Sequence, residues 1–137
     1  MDILVFTDGG SRGNPGPAAI GVVVYDKNKN IIFELAKYIG KKTNNQAEYQ
    51  AVLEAIKWIC QQGTKINRVE FYVDSELVAK QLNGEYKIKS ANIKPLTEQI
   101  NQLRNTLPFK IIFTHLLREG NKKADQLVNQ ALDNQIF

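Results

Sequence analysis

Four carboxylates stand where a chain selected for stability alone gains little from a negative charge. Asp8 and Asp74 each follow directly on an apolar, strand-like run, whereas Glu48 and Asp125 each lie in the first turns of a helix-like segment. Helical spacing also puts Glu48 in line with apolar residues, and burying an unpaired carboxylate is costly. A single shared site explains all four positions together.

A site of four carboxylates without histidine or cysteine limits the chemistry it can perform. Carboxylates within a few ångströms of one another repel, which raises some of their pKa values unless cations bind between them. Hard oxygen ligands suit Mg²⁺ or Mn²⁺ rather than zinc. Two such ions roughly 4 Å apart can activate a water and stabilise the leaving oxygen of an in-line phosphoryl displacement. These residues therefore indicate metal-assisted phosphodiester hydrolysis.

Each acid also has an explanation that requires no site. Asp8 begins an Asp-Gly pair, which is common in turns. Glu48 suits a capping box or the positive end of a helix dipole, and Asp74 or Ser75 could cap the helix that follows them. Asp125 suits a surface position in the first turn of its helix. For each residue taken singly, both explanations remain open.

The elements that position the carboxylates follow from the sequence pattern. Apolar runs bounded by turn residues predict five strands, at residues 2–7, 19–25, 31–38, 68–73 and 109–116. Helical spacing predicts four helices, at residues 46–62, 75–83, 93–105 and 121–133. The first three strands form an antiparallel meander, and a right-handed crossover makes the fourth strand parallel to the first. Asp8 and Asp74 then share the carboxyl edge of a mixed sheet, where open α/β folds bind ligands.

Length and composition indicate one ordinary α/β domain that covers residues 1–137. The 137 residues suffice to bury a core, and 43% hydrophobic with 23% charged residues is a globular composition. No apolar run approaches the ~20 residues of a membrane span, so we expect no membrane association. Because strand-like sequence begins directly after Met1, we also expect no signal peptide.

The single cysteine and the net charge narrow the setting and the partners. Cys60 can form neither an internal disulfide nor a thiolate metal cage, so we expect a reducing, cytoplasmic location. The net charge of +4 favours an anionic partner. Nothing in the sequence indicates an obligate protein partner.

The residues around the four carboxylates resemble the motifs of the type 1 ribonuclease H family, and the similarity covers nearly the whole chain. Four motifs in the family's order are a highly specific signal, whereas Asp-Gly alone would carry none. The motifs are Thr7-Asp8-Gly9-Gly10-Ser11-x-Gly13-Asn14-Pro15-Gly16-Pro17, Thr43-Asn44-Asn45-x-x-Glu48, Val73-Asp74-Ser75 and Asn121-x-x-Ala124-Asp125. The resemblance implies an α/β, RNase H-like fold: a five-stranded mixed sheet in the order 3-2-1-4-5, with helices on both faces.

The same resemblance implies an activity. Members of the family are endoribonucleases that hydrolyse the RNA strand of RNA/DNA hybrids with two divalent ions, and double-stranded RNA is a secondary substrate to consider. Carried across by position, the resemblance makes Asp8, Glu48, Asp74 and Asp125 both the catalytic residues and the ligands of two Mg²⁺ or Mn²⁺ ions. Within this set, Asp8 and Asp74 are expected nearest both ions.

Substrate contacts are also implied by the resemblance. Glycines permit close backbone approach, and amide side chains can address the 2′-hydroxyl that distinguishes RNA from DNA. The polar residues at 43–45 could instead serve only as helix caps. The assigned contacts are Gly9, Gly10 and Ser11 to the RNA backbone, Asn14 and Asn44 in the minor groove, and Thr43 with Asn45 around a phosphate of the DNA strand.

The chain departs from the family's pattern at two places near the substrate. Many relatives carry Gln where this chain has Glu76, which puts a groove contact in doubt and adds a negative charge near phosphates. Some relatives insert a basic helix and loop that grip the substrate, whereas only residues 84–90 remain here. Affinity for a hybrid is therefore expected to be weaker, or to depend on Lys87 and Lys89.

A third departure concerns the loop before the last helix, where the family often has a mobile histidine. His115, the only histidine, precedes that loop and alternates in phase with two apolar strand residues, which favours a structural role. Arg118 as a phosphate contact, or Glu119 as a helper in product release, is the expected occupant of the flexible position.

Two other function classes compete with the nuclease. A nucleic-acid-binding module without turnover would be expected to have lost a carboxylate, and all four are present here. Another nuclease or strand-transfer enzyme of the wider superfamily would also use acidic residues, but the motifs at Asn14 and residues 43–45 favour the ribonuclease.

Overall fold

A computed structural model of the protein describes residues 1–135, apart from the side chains of Arg118 and Glu119. Within this range, an initial three-stranded meander is followed by four helices and two further strands, as the sequence pattern predicts. The elements are β1 (Asp2–Ser11), β2 (Gly16–Asp26), β3 (Ile31–Lys42), α1 (Asn44–Gln61), β4 (Arg68–Val73), α2 (Glu76–Leu82), α3 (Lys94–Arg104), β5 (Phe113–His115) and α4 (Lys122–Asp133). In the described part of the chain, no helix combines the length and the apolar character needed to cross a bilayer.

The five strands form one sheet in the order β3-β2-β1-β4-β5. Strand β2 pairs antiparallel with both β1 and β3, whereas β4 pairs parallel with both β1 and β5. The parallel pairing of β1 with β4 ends at Thr7 opposite Val73. The predicted mixed sheet and its strand order are therefore confirmed, and Asp8 and Asp74 both follow the last pair.

The first hairpin is longer than predicted. Strands β1 and β2 stay paired from Ile3 opposite Asp26 to Ser11 opposite Ala18, because the antiparallel ladder continues past the point where β4 ends. The prediction that Asp8 ends the first strand is therefore wrong: Asp8 ends only the parallel pairing. The turn begins at Arg12, whose N–H donates to the Pro17 carbonyl at 2.8 Å.

The last strand is shorter than predicted and consists of three residues. Its outward-facing backbone groups are bound by side chains rather than by a sixth strand. The amide of Asn83 both donates to the Phe113 carbonyl at 2.8 Å and accepts from the Phe113 N–H at 2.9 Å, while Arg104 donates to the Ile111 carbonyl at 2.9 Å. These contacts cover the sheet edge, which would otherwise be open to pairing with another chain.

The main core lies between α1 and the face of the sheet that α1 covers. Apolar side chains of the central strands, such as Val5 and Phe71, pack there against Ile56 and other buried residues of α1. Helix α4 covers the opposite face of the sheet, where Val128 and Leu132 pack against Ala19 of β2. The helices on both faces thereby approach the central strand that carries Asp8.

Candidate active site

The structure brings the four predicted carboxylates to one cleft of about 430 Å³ at the carboxyl edge of the parallel strands. Asp8 comes from the central strand and Asp74 from the residue after β4, whereas Glu48 lies just past the first turn of α1 and Asp125 in the first turn of α4. The chain thus places four acids from four separate elements around one space.

Two glycines beside Asp8 allow both helices to come close enough. A Cβ at Gly9 would overlap the backbone of α1 at Ala47, and a Cβ at Gly21 would overlap the carbonyl oxygen of Ala124 in α4. Gly21 lies directly opposite Asp8 in the β1–β2 ladder. The closeness of both acid-bearing helices to Asp8 therefore depends on the missing side chains.

Asp8 lies in an unfavourable electrostatic position for a charged carboxylate. Its side chain is 7% exposed and accepts from the Gly9 N–H at 3.0 Å. Burial, followed by the charges of Asp74 and Asp125 and hydrogen bonds with both, raises the pKa of the Asp8 carboxyl far above its usual range. The charged form of Asp8 is therefore disfavoured unless a cation binds nearby.

Glu48 is also held in an unfavourable setting for a charge. Burial is the main cause, and the nearby charge of Asp74 adds to it, so that the pKa of Glu48 rises to about 7. A hydrogen bond from the Ser75 hydroxyl to Glu48 opposes part of this rise. Ser75 is a site residue that sequence analysis considered only as a cap.

The structure assigns the helix caps to residues other than the acids. Thr43 caps α1 and forms a reciprocal capping box with Gln46, so Glu48 has no capping role. Ser75 caps α2 by accepting from the Val78 N–H at 3.2 Å, which leaves Asp74 outside the cap. The capping explanations for Glu48 and Asp74 are therefore wrong.

The start of α4 is tied directly to the strand that carries Asp8. Asn121 occupies the cap position, but its buried amide donates to the Thr7 carbonyl at 2.9 Å instead of capping the helix as predicted. Within α4, Asn129 lies one turn after Asp125, donates to its carbonyl at 3.2 Å and reaches its carboxylate at 3.5 Å. These contacts fix the helix turn that presents Asp125 to the cleft.

The donor set of the cleft fits a hard divalent cation, because every candidate ligand is a carboxylate oxygen. Among the described residues, no three His, Cys, Asp or Glu side chains already stand in an arrangement that could hold a metal ion. Asp74 and Asp125 lie close enough to Asp8 to raise the pKa of its carboxyl. Cation binding would thus rearrange the side chains around Asp8 and offset their mutual repulsion.

The predicted minor-groove residues form one hydrogen-bonded network beside the carboxylates. Asn44 accepts from the backbone N–H of Ser11 at 2.9 Å and from its hydroxyl at 3.2 Å, and the Asn44 N–H donates to the Asn14 side chain at 3.0 Å. Both amide oxygens are therefore engaged. The Nδ2 group of each asparagine is the part left to address acceptors on a ligand.

The two predicted glycine contacts differ in accessibility. Gly9 is buried against α1, where its small size serves helix packing, and it also lines the cleft, so its contact with the RNA backbone stays a prediction. Gly10 is half-buried and lines the cleft, where a Cβ would meet only Val128, at 3.7 Å. For Gly10 and Ser11, contact with the RNA backbone stays a prediction.

A second cleft, of about 610 Å³, lies on the other side of the start of α1. Asn45 lines it together with the exposed Lys87 and Lys89, and Gln81 holds the loop by donating to the Lys87 carbonyl at 3.2 Å. The predicted phosphate site at Thr43 and Asn45 thus adjoins the predicted basic loop. The charge that Glu76 adds nearby is paired with Lys80 at 2.8 Å.

The residues predicted around the last loop have different outcomes. His115 pairs with Val73 at the carboxyl edge of the sheet, and its side chain is exposed rather than buried in the core. The side chains of Arg118 and Glu119 lie outside the described part of the chain, so their predicted roles stay predictions.

Comparisons with known proteins find relatives that match most of the chain. A family model described as reverse transcriptase-like matches residues 6–131. Ribonuclease HI of Halobacterium salinarum is 38% identical over 132 residues, and Ribonuclease H of Pseudomonas entomophila is 30% identical over 146 residues, with coverage of 96% of this chain in both cases. A crystal structure of LC11-RNase H1 in complex with RNA/DNA hybrid shares 42% identity with a TM-score of 0.91, and covers 96% of this chain and 97% of that chain.

The relatives differ in how much of their own length is matched. The chain spans 65% of the halobacterial protein and 36% of mycobacterial relatives that are 35% identical. It spans 93% of the pseudomonad protein. The common part is the domain that contains all four carboxylates.

Proposed function

The chain belongs to the type 1 ribonuclease H family, and we propose that it is an endoribonuclease that hydrolyses the RNA strand of RNA/DNA hybrids with bound divalent ions. Ribonuclease names among its relatives and the hybrid bound to LC11-RNase H1 support this substrate. The proposal extends to two ions, Mg²⁺ or Mn²⁺, and to double-stranded RNA as a secondary substrate.

The observation that carries the proposal is the convergence of four acids on one cleft. A structural role would predict capped, solvated or singly paired carboxylates, whereas Asp8 is buried among other acids and two capping explanations are wrong. Burying like charges together opposes folding, so a function that uses their combined charge accounts for their position.

The carboxylates have distinct tasks in this proposal. Asp8, Glu48, Asp74 and Asp125 would hold the ions, which supply activation of a water and stabilisation of the leaving oxygen. Burial raises the pKa of Glu48 to about 7, and Ser75 forms a hydrogen bond with it, so Glu48 can accept or release a proton close to pH 7. Asp8 lies close to both Asp74 and Asp125 and would hold the ions together with them.

The asparagine network provides recognition of the RNA strand. Asn44 lines the cleft and Asn14 adjoins it through the Asn44 N–H, and the Nδ2 donor of each is left for a ligand because their oxygens are used internally. Donors of this kind suit the 2′-hydroxyl and the base acceptors of a minor groove. Because a second RNA strand preserves these groups in the cleaved strand, the same geometry supports double-stranded RNA as the secondary substrate.

Location and partners are part of the proposal. We retain a cytoplasmic location on the basis of the single cysteine, Cys60, which is a free thiol in the structure. Nucleic acid is the proposed partner, and no protein partner is required for the four acids to meet. The competing function is a nucleic-acid-binding module without turnover, which a measured cleavage rate would exclude.

Cleavage assays with the wild-type chain test the proposal. Labelled RNA/DNA hybrid, double-stranded RNA and double-stranded DNA are each incubated with Mg²⁺, Mn²⁺ or EDTA. We expect the RNA strand of the hybrid to be cut with either metal, double-stranded RNA to be cut more slowly, and EDTA to abolish both reactions. Absence of hybrid cleavage with both metals would contradict the proposal.

A further inference from the structure

One cation lines the carboxylate cleft among the residues that the structure describes there. Arg12, the first residue of the β1–β2 turn, stands at its margin together with Ser11 and Asn44. Asp8, Glu48, Asp74 and Asp125 occupy the same cleft. An anionic ligand that lies along this cleft therefore meets a guanidinium at the end away from the acids.

Arg12 is held at that margin by an ion pair. Its Nη2 contacts Asp133 Oδ1, at the end of α4, at 2.6 Å. This contact uses one of the two terminal guanidinium nitrogens, whereas an arginine offers five N–H donors in a planar fork. The remaining donors stay available for a phosphate oxygen.

The exposure of the pair argues against a role in stability alone. The Arg12 side chain is 40% exposed and that of Asp133 is 64% exposed. Exposed ion pairs contribute little to folding, because water and salt screen them and ordering two long side chains costs entropy. A pair that stabilises little can still orient a guanidinium toward the cleft.

We infer that Arg12 binds a phosphate of the RNA strand, with Asp133 as the residue that positions it. Four residues of extended chain separate Arg12 from Asp8, or ~13 Å, so the phosphate bound is a different one from the phosphate being cleaved. The inference deepens the proposed function and rests on it. It assigns Arg12 to substrate binding and leaves hydrolysis to the four acids.

The test measures hybrid binding as a function of salt, in EDTA so that no strand is cut. Arg12→Ala should weaken binding about tenfold at low salt and reduce the slope of log K against log salt by roughly 0.9, because one phosphate contact is lost. Arg12→Lys should keep the slope while recovering part of the affinity, since the charge remains without the fork. Lys27→Ala removes an exposed cation at the opposite end of β2 and serves as the matched control.

The outcomes separate this inference from the proposed function. In cleavage assays, Arg12→Ala should raise KM with kcat little changed, and its thermal unfolding should match that of the wild type. An Arg12→Ala slope equal to that of the wild type, or an equal change in Lys27→Ala, would overturn the inference. If the wild type itself neither binds nor cuts the hybrid, the proposed function has failed instead.

Discussion

Asp8 combines burial, a hydrogen bond to the neighbouring backbone and two carboxyl neighbours from other elements. Each of these properties can be explained alone, but their combination costs folding free energy because like charges are concentrated where water is scarce. The same concentration of negative charge favours binding of a cation. Function at the residue scale therefore rests on an arrangement that folding alone would disfavour.

A single substitution at Asn14 can separate substrate recognition from metal binding by the four acids. Asn14→Ala should raise KM for the hybrid roughly fivefold, because one hydrogen-bonding group and its hold on the Asn44 N–H are lost. Mn²⁺ binding, followed by calorimetric titration, should be nearly unchanged. Asn28→Ala, in the turn at the far end of β2, is the matched control. A fall in kcat without a rise in KM would place Asn14 in the chemical step and contradict this division.

At the element scale, the positions of α1 and α4 depend on two glycines next to Asp8. Gly9 follows Asp8 in β1, and Gly21 lies opposite it in β2. Gly9 admits the backbone of α1, and Gly21 admits that of α4. The Asn121 amide then locks α4 to the Thr7 carbonyl, one residue before Asp8. Glu48 and Asp125 thereby reach a common cleft although 77 residues separate them in the sequence.

Substituting one of these glycines tests this account of helix placement. Gly21→Ala should lower the free energy of unfolding by about 3 kcal/mol, because the new Cβ overlaps the Ala124 carbonyl and comes within 3.0 Å of Leu127 Cβ. Cleavage should fall about 100-fold even in folded protein, since Asp125 moves with α4. Urea unfolding and cleavage rates measure the two effects.

Gly10→Ala is the matched control for stability, because its Cβ would meet only Val128, at 3.7 Å. It should unfold at nearly the same urea concentration as the wild type. Equal stability of Gly21→Ala and Gly10→Ala would show that α4 does not depend on the close approach at Gly21.

Sequence patterns predicted the elements better than their ends. Apolar periodicity identified every strand and helix, yet the β1–β2 hairpin extends further because strand length depends on which neighbour continues to pair. The early end of β5 depends on Asn83 and Arg104, whose contacts with the strand are tertiary. Cap geometry likewise escaped prediction at Asn121, where a polar residue bonds across the fold instead of along its own helix.

At the scale of the whole molecule, the topology determines where the acids meet. The right-handed crossover makes β1 and β4 parallel. Asp8 and Asp74, 66 residues apart in sequence, therefore lie side by side at one edge of the sheet. This convergence was predictable because it follows from strand order alone. The role of Gly21 was not, since only the packed structure shows which helix approaches it, and Arg12 had no signal in the sequence beyond its charge.

The central claim is that the buried acid cluster performs hydrolysis, and Asp8→Asn tests it most directly. The substitution keeps the size of the side chain, removes a buried charge and should leave the protein at least as stable as the wild type in thermal unfolding. Asp2→Asn, at the exposed opposite end of β1, is the matched control. Hybrid cleavage with saturating Mg²⁺ or Mn²⁺ should fall by about 10²-fold or more in Asp8→Asn and stay unchanged in Asp2→Asn. Unchanged cleavage by folded Asp8→Asn would contradict the account.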